Sequence, residues 1–359
     1  MSADPRPVLF VTNHVPPFRA GAFARLHAAE DVSFALIGGA VRHGGGAAAR
    51  EPLSFPAAHV SQRAVFRLAA SGRFRAVVAG LSGRLAPAAA WAGARWAGVP
   101  FVLWATMWAH PRTAAHRMSY LPVRELYRRA DAIATYGPHV TEYVRRKGAR
   151  SPVIEAPQSV DNPFWSAPAE ARRLAPFQVL FVGRLEAEKG LEVLSQAWRL
   201  SGLADRGGAL VAVGAGPLAP ALRAAGATVA GRLEPAEVRD VYAGSDVVVV
   251  PSIRTPSFLE PWGLTVNEAF NRSLPVIATE AVGAAAGGLV AHEQTGLVVA
   301  SGDAAQLAAA LRRLHDDAAL RARLGEAAFR AVQAYSHDAW STGMAHALAA
   351  VGASRTVVA

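Results

Sequence analysis

A chain of 359 residues that is 52% hydrophobic is too long for one ordinary domain and too apolar to be disordered, so two domains with substantial cores are expected. It holds no cysteine, which excludes disulfides, thiolate catalysis and cysteine-bound metal. The formal charge of +10 comes entirely from the first half: residues 1–170 hold 20 Arg and Lys against 10 Asp and Glu, and the remainder holds 17 against 17.

A basic half suits plain solubility, an anionic membrane surface or an anionic acceptor. Nucleic acid is not expected, because no zinc finger, recognition-helix pattern or basic-aromatic repeat accompanies the charge. Residues 1–7 are short and polar and lack the basic-then-apolar order of a signal peptide. Arg or Gly interrupts every apolar stretch before it reaches the roughly 20 residues that span a bilayer. A cytoplasmic protein is therefore expected, with peripheral association at the inner face of the plasma membrane left open.

From the amino terminus, residues 8–11, 32–36, 75–79, 101–105 and 132–135 read as short apolar strands bounded by Gly, Pro or polar residues. Between them, 61–70, 85–97, 123–129 and 140–147 carry helical patterns. This alternation predicts a parallel sheet with helices on both faces. The stretch 157–175 contains Pro157, Pro163 and Pro168 and reads as a linker. The rhythm then restarts, with strands at 178–182, 210–213, 228–230, 247–250, 276–279 and 297–299. Helices are expected at 191–200, 218–224, 235–243, 264–271, 305–314 and 320–332. The domains are accordingly 1–165 and 173–335. A last helical pattern at 337–349, within 336–359, either closes the second domain or returns to the first.

Glycine turns follow strands three times in the second half. The first is Gly183-Arg184-Leu185, continuing through Glu188-Lys189-Gly190. Arg184 offers a directional fork and Lys189 a compact charge, a pairing suited to a diphosphate. The second, Gly214-Ala215-Gly216, permits close backbone approach but is neither the GxGxxG nor the GxxxxGK fingerprint. The third, Gly231-Arg232-Leu233, borders a base pocket or is a plain loop. The most telling segment is 260–270, which enters a helix after a strand and a Pro/Ser-rich loop. Amides of Gly263, Leu264 and Thr265 at that helix start are available to phosphate oxygens. Glu260 and Glu268 are placed to accept hydrogen bonds from sugar and ribose hydroxyls. Helix capping and a solvated helix face are the alternative readings of these two carboxylates.

This segment resembles the EX7E element of retaining glycosyltransferases with the GT-B fold, in particular glycosyltransferase family 4. Pro251-Ser252, Pro275 through Thr279, Gly283 and Thr295-Gly296-Leu297-Val298 stand around it in the order of that family's nucleotide-sugar domain, over roughly residues 176–335. The resemblance implies an α/β GT-B fold of two Rossmann-like domains facing an interdomain cleft. It also implies donor-sugar contact by Glu260, ribose contact by Glu268 and diphosphate binding by Arg184 and Lys189. A Gly-rich loop after the first strand is matched only by Gly21, within 13–22. A histidine near the reacting sugar is best matched by His110, with His14 and His116 as alternatives. Asp161 resembles the family's interdomain turn.

The implied activity is transfer of a sugar from a nucleotide-sugar to an acceptor hydroxyl with retention of configuration. The product would be a glycan, a glycolipid or a glycosylated metabolite. No metal or separate cofactor is expected, and a UDP- or GDP-sugar is only weakly favoured as donor. A non-catalytic sugar-nucleotide-binding protein, or a GT-B phosphorylase or epimerase, is the alternative.

Overall fold

The computed structural model describes residues 4–38 and 53–355. Residues 1–3 of the polar start and 356–359 of the C-terminal segment lie outside the described residues. The chain divides into two compact units, one of Met1–His110, Ala114–Ser159 and Ser336–Ala359, the other of Pro111–Thr113 and Val160–Tyr335. The division thus falls at 159/160, ahead of the boundary expected at 165.

The first unit opens with β1 (Val8–Thr12), α1 (Pro17–Glu30), β2 (Val32–Leu36), β3 (Ala57–His59), α2 (Ala64–Ala69), β4 (Ala76–Gly80) and α3 (Ala86–Ala97). It continues with β5 (Phe101–Ala105), α4 (Ala114–Arg129), β6 (Ala132–Thr135), α5 (Pro138–Arg146) and β7 (Val153–Glu155). Helix α1 corrects the loop expected at 13–22. Pro17 occupies its first position, where a locked φ and a missing amide cost nothing. Gly21 therefore lies inside a helix, and a Cβ there would meet the His337 imidazole at 2.5 Å. Helix α4 also begins earlier than expected, because it runs through Pro122 on its exposed side.

The second unit contains α6 (Asn162–Ser166), β8 (Phe177–Val182), α7 (Leu191–Ser201), β9 (Gly208–Val213), α8 (Ala219–Ala224), β10 (Thr228–Gly231) and α9 (Pro235–Ala243). It ends with β11 (Val247–Val250), α10 (Thr265–Phe270), β12 (Val276–Thr279), α11 (Gly283–Ala286), β13 (Gly296–Val299), α12 (Ala304–Asp316) and α13 (Ala318–Val332). Helix α6 interrupts the expected linker. Asp161 caps it, its carboxylate accepting the Phe164 amide at 3.1 Å. The final helix, α14 (His337–Ala349), groups with the first unit. There its fully buried Trp340 lies 5.4 Å from the Phe23 ring and 5.8 Å from the Trp104 ring.

Both sheets are parallel throughout. Their orders are β3-β2-β1-β4-β5-β6-β7 and β10-β9-β8-β11-β12-β13. Strands covered on both faces must be apolar along their whole length, which is why VLFVT, AVVAG, FVLWA and VVVV are buried at every position. In the second unit Val179, Phe181, Val249 and Ile277 of the sheet join Leu194, Trp198, Leu307, Leu311 and Leu324 of the helices in one core. Each sheet starts near its middle, winds outward one way and then the other. The order reverses between β8 and β11, whose loops leave at the same end, and such a reversal is where open parallel sheets hold ligands.

One polar network lies deep in the first unit. The Arg75 guanidinium donates to Glu30 Oε2 at 2.8 Å and to the carbonyls of Glu30, Arg6 and Ala353 at 2.7, 2.6 and 2.8 Å. The Ser354 hydroxyl and the Arg355 amide also donate to the Glu30 carboxylate, at 2.5 and 2.8 Å. Residues near both limits of the described chain, Arg6 and 353–355, are thereby tied to a buried ion pair. Arg75→Met would remove the counter-charge of a buried carboxylate, a loss of about 3–5 kcal/mol, whereas cutting the more exposed Arg95–Asp131 pair with Arg95→Met costs at most about 1 kcal/mol. Urea unfolding of both variants checks this, and equal shifts in midpoint would contradict it.

Candidate active site

The loops after β8 and β11 are stitched together before any side chain is considered. The Ile253 amide donates to the Glu188 carbonyl at 3.0 Å. Gly190 adopts a φ of +71°, and a Cβ there would collide with the Pro251 carbonyl, so glycine is required both for conformation and for the approach of the two loops.

Across this junction the Lys189 ammonium donates to Glu260 Oε2. The Ser252 hydroxyl donates to the same oxygen at 3.1 Å. Ser252 is itself fixed, its carbonyl accepting the Thr279 hydroxyl at 2.5 Å. The Lys189 ammonium also stands 5.1 Å from the Phe258 ring centre, a cation–π contact. The main chain around Glu260 is anchored by a parallel bridge to Val282 and by the Gly283 amide, which donates to the Glu260 carbonyl at 3.1 Å. Glu260 is therefore held at its main chain by Val282 and Gly283, and at its carboxylate by hydroxyl and ammonium.

Arg184, in the loop after β8, donates to Glu186 and, at 3.0 Å, to Glu188. Both cations expected to hold a diphosphate thus have carboxylate partners, and Arg184 is half-exposed. The neighbouring glycine turns are occupied differently from the expectation. The Gly183 amide donates to the Val213 carbonyl at 2.9 Å, and the Gly214 amide donates to the Gly231 carbonyl at 2.7 Å. A Cβ on Gly216 would collide with the Leu185 carbonyl. These glycines hold the three loops together, and the amides of Gly183 and Gly214 are spent within the protein. Arg232 is exposed and Leu233 half-buried, both just past β10 at the end of the sheet order.

The amides of Gly263, Leu264 and Thr265 donate to no backbone carbonyl among the described residues. Helix α10 is only six residues long, so these amides act as individual donors rather than as the end of a long dipole. Its orientation is set by the Trp262 indole, which donates to Asn267 Oδ1 at 2.7 Å, and by Asn271, whose amide donates to Asn162 Oδ1 at 3.0 Å. Glu268 lies one turn into it. There it accepts the Tyr242 hydroxyl at 2.8 Å. Desolvation raises the Glu268 pKa to about 7, against a smaller lowering by the Tyr242 hydroxyl. The Tyr242 hydroxyl is held neutral, its pKa pushed well up chiefly by burial.

His110 follows β5 in the first unit. Its Nε2 meets the His116 carbonyl at 2.5 Å, and its ring stands edge-on to Tyr120. Sequence reasoning marked Ser252 only as part of a motif and missed Tyr242 altogether. Nothing in a helix pattern signals a hydroxyl whose partner is 26 residues away. No helix among the described residues is long and apolar enough to cross a membrane.

Residues 176–317 match the family described as Glycosyl transferases group 1. The chain is 31% identical over 215 residues to the glycogen synthase of Mycobacterium tuberculosis, a match covering 56% of this chain and 50% of that relative. It is 40% identical over 111 residues to the D-inositol 3-phosphate glycosyltransferase of Corynebacterium aurimucosum, covering 30% and 24%. The chain thus spans half or less of the length of these curated relatives. Among solved structures, Anabaena HepE in complex with UDP aligns with a TM-score of 0.73 at 19% identity, covering 96% of this chain and 99% of that one. The sucrose-phosphate synthase of Thermosynechococcus elongatus aligns with a TM-score of 0.71 at 19% identity, covering 95% and 98%. These alignments establish the GT-B fold, with two Rossmann-like domains.

The Glu268 environment has a measurable consequence. The folded chain keeps this proton up to about pH 7, while the unfolded chain releases it near 4.5. Between those values the native state binds more protons, so the stability Glu268 contributes is complete below 4.5 and lost as pH rises through 7. Urea unfolding of wild type and Glu268→Gln is expected to favour wild type more at about pH 5 than at about pH 8. A difference between the two proteins that ignores pH would contradict the assignment.

Proposed function

Given that this chain resembles the group 1 glycosyl transferases and has the GT-B fold, we propose that it transfers a sugar from a nucleoside diphosphate sugar to an acceptor hydroxyl with retention of configuration. The observation that carries the reading is the convergence of Lys189, Glu260 and Ser252 at the reversal between β8 and β11, beside the unspent amides of residues 263–265. That is a cation, a fixed hydrogen-bond acceptor and backbone donors at the place where such a sheet holds ligands.

Breaking the bond between the anomeric carbon and the diphosphate puts negative charge on the leaving oxygen. Lys189 is the group placed to neutralise it, exchanging Glu260 for a phosphate oxygen. Arg184 would make the same exchange from Glu186 and Glu188. The amides of Gly263, Leu264 and Thr265 supply further donors to the phosphates. Glu260 then orients the sugar through its hydroxyls, and Glu268 accepts from the ribose.

The acceptor oxygen attacks from the face the diphosphate leaves, and its proton goes to the departing phosphate oxygen. Glu260 is thus an orienting acceptor and not a nucleophile, unlike the paired carboxylates of glycoside hydrolysis. His110, whose Nε2 meets the His116 carbonyl, would have to exchange that partner to act near the reacting sugar. A UDP-sugar is the first donor to try, because a structural neighbour binds UDP.

Glu260→Gln keeps the shape and removes the strong acceptor. It is expected to lower turnover by roughly a hundredfold, a larger effect than on folding, so that the variant still unfolds cooperatively with a lowered midpoint. Lys189→Ala is expected to weaken donor binding roughly tenfold to a hundredfold, as loss of a charge-assisted hydrogen bond does. Transfer assays and calorimetry with UDP-, GDP-, ADP- and dTDP-sugars check both. Wild-type transfer rates and affinities in the purified variants would remove the proposed roles.

A further inference from the structure

Tyr242 lies outside every motif that points to the donor site, yet its hydroxyl ends on one of that site's carboxylates. It is fully buried on α9. Its ring stands edge-on to the Trp165 ring of α6, with centroids 5.7 Å apart. The hydroxyl has a single hydrogen-bond partner among the described residues, Glu268 Oε2, at 2.8 Å. The other carboxylate oxygen, Oε1, accepts nothing from the described residues, and Glu268 is half-buried.

The carboxylate is thus divided into a held oxygen and an open one. Glutamate has three rotatable side-chain bonds, and a ligand that must still them loses affinity in doing so. Here the backbone of α10 is already fixed through Trp262–Asn267 and Asn271–Asn162. The Tyr242 hydroxyl fixes what remains free, the rotation of the side chain. A phenol buried this deeply needs a partner, but burial alone does not require that the partner be a carboxylate reaching the donor site.

We propose that Tyr242 is a positioning residue for ribose recognition. By holding Oε2 of Glu268 it presents Oε1 to the ribose hydroxyls of a bound nucleoside diphosphate, and it thereby sets the preference for ribonucleotides over deoxyribonucleotides. This rests on the donor-site reading given above and adds to it the residue that makes the site selective for the sugar of the nucleotide. Tyr242 touches no ligand and acts only through Glu268.

The test is a ratio of affinities, which a general loss of packing would not change. Calorimetry compares UDP with 2′-deoxy-UDP, and GDP and ADP with their 2′-deoxy counterparts, on wild type, Tyr242→Phe and Trp165→Phe. Tyr242→Phe removes the hydroxyl and keeps the ring. Trp165→Phe disturbs the ring's packing and keeps the hydroxyl. Wild type is expected to prefer the ribonucleotide by roughly tenfold or more, because a site built to bond a hydroxyl rejects the analogue lacking it. In Tyr242→Phe the preference should fall to within about threefold, while Trp165→Phe keeps it. A preference retained in Tyr242→Phe overturns the positioning role. A wild type that binds both forms equally overturns ribose reading by Glu268, although nucleotide binding itself would stand. If none of the three nucleotides binds, the donor-site reading falls and takes this inference with it.

Discussion

Lys189 and Glu260 are 71 residues apart in the chain and meet as an ion pair. They can do so because a parallel sheet that begins at its middle sets β8 beside β11, and the loops that leave those strands open at the same end. Every other feature of the site assumes this meeting. Gly190 lets the loops touch, the bond from Ile253 to Glu188 keeps them together, and Ser252 steadies the carboxylate the ammonium approaches.

The pairing also gives the site its electrostatic character. A desolvated cation costs free energy unless something shares its charge. Here Glu260 shares the charge of Lys189, and Glu186 and Glu188 share that of Arg184. A diphosphate would take over both cations and release carboxylates to face hydroxyl groups. Glu268 stands apart, with a hydroxyl for company and no cation bonded to it among the described residues, which is why burial moves its titration so far. Two carboxylates eight positions apart in one segment thus live under different rules, one held by charge and one by a neutral donor.

Much of this was readable in the chain before its fold. Runs such as VVVV and VIAT announce strands buried on both faces, and all six strands of the second unit were placed from such runs. The order of glycine turns and the spacing of Glu260 and Glu268 pointed to the candidate site. What escaped has physical reasons. Strands β3 and β7 are three residues long and largely unburied, so they carry no apolar run. Helix α1 starts with two prolines and includes Gly21, residues that mark loops unless one knows that His337 packs where a side chain would stand. The amides of Gly183 and Gly214 look free in sequence, because a strand-to-glycine turn does not reveal which carbonyl its amide will find. Tyr242 and the carboxylate partners of Arg184 depend on how helices and loops pack, and no local pattern encodes that.

The most direct measurement is a crystal structure of this chain with a bound nucleoside diphosphate. The account predicts Lys189 Nζ within hydrogen-bond distance of a phosphate oxygen, its bond to Glu260 broken or shared, and the amides of residues 263–265 turned toward the same diphosphate. A nucleotide bound elsewhere on the chain, with the Lys189–Glu260 pair undisturbed, would contradict it.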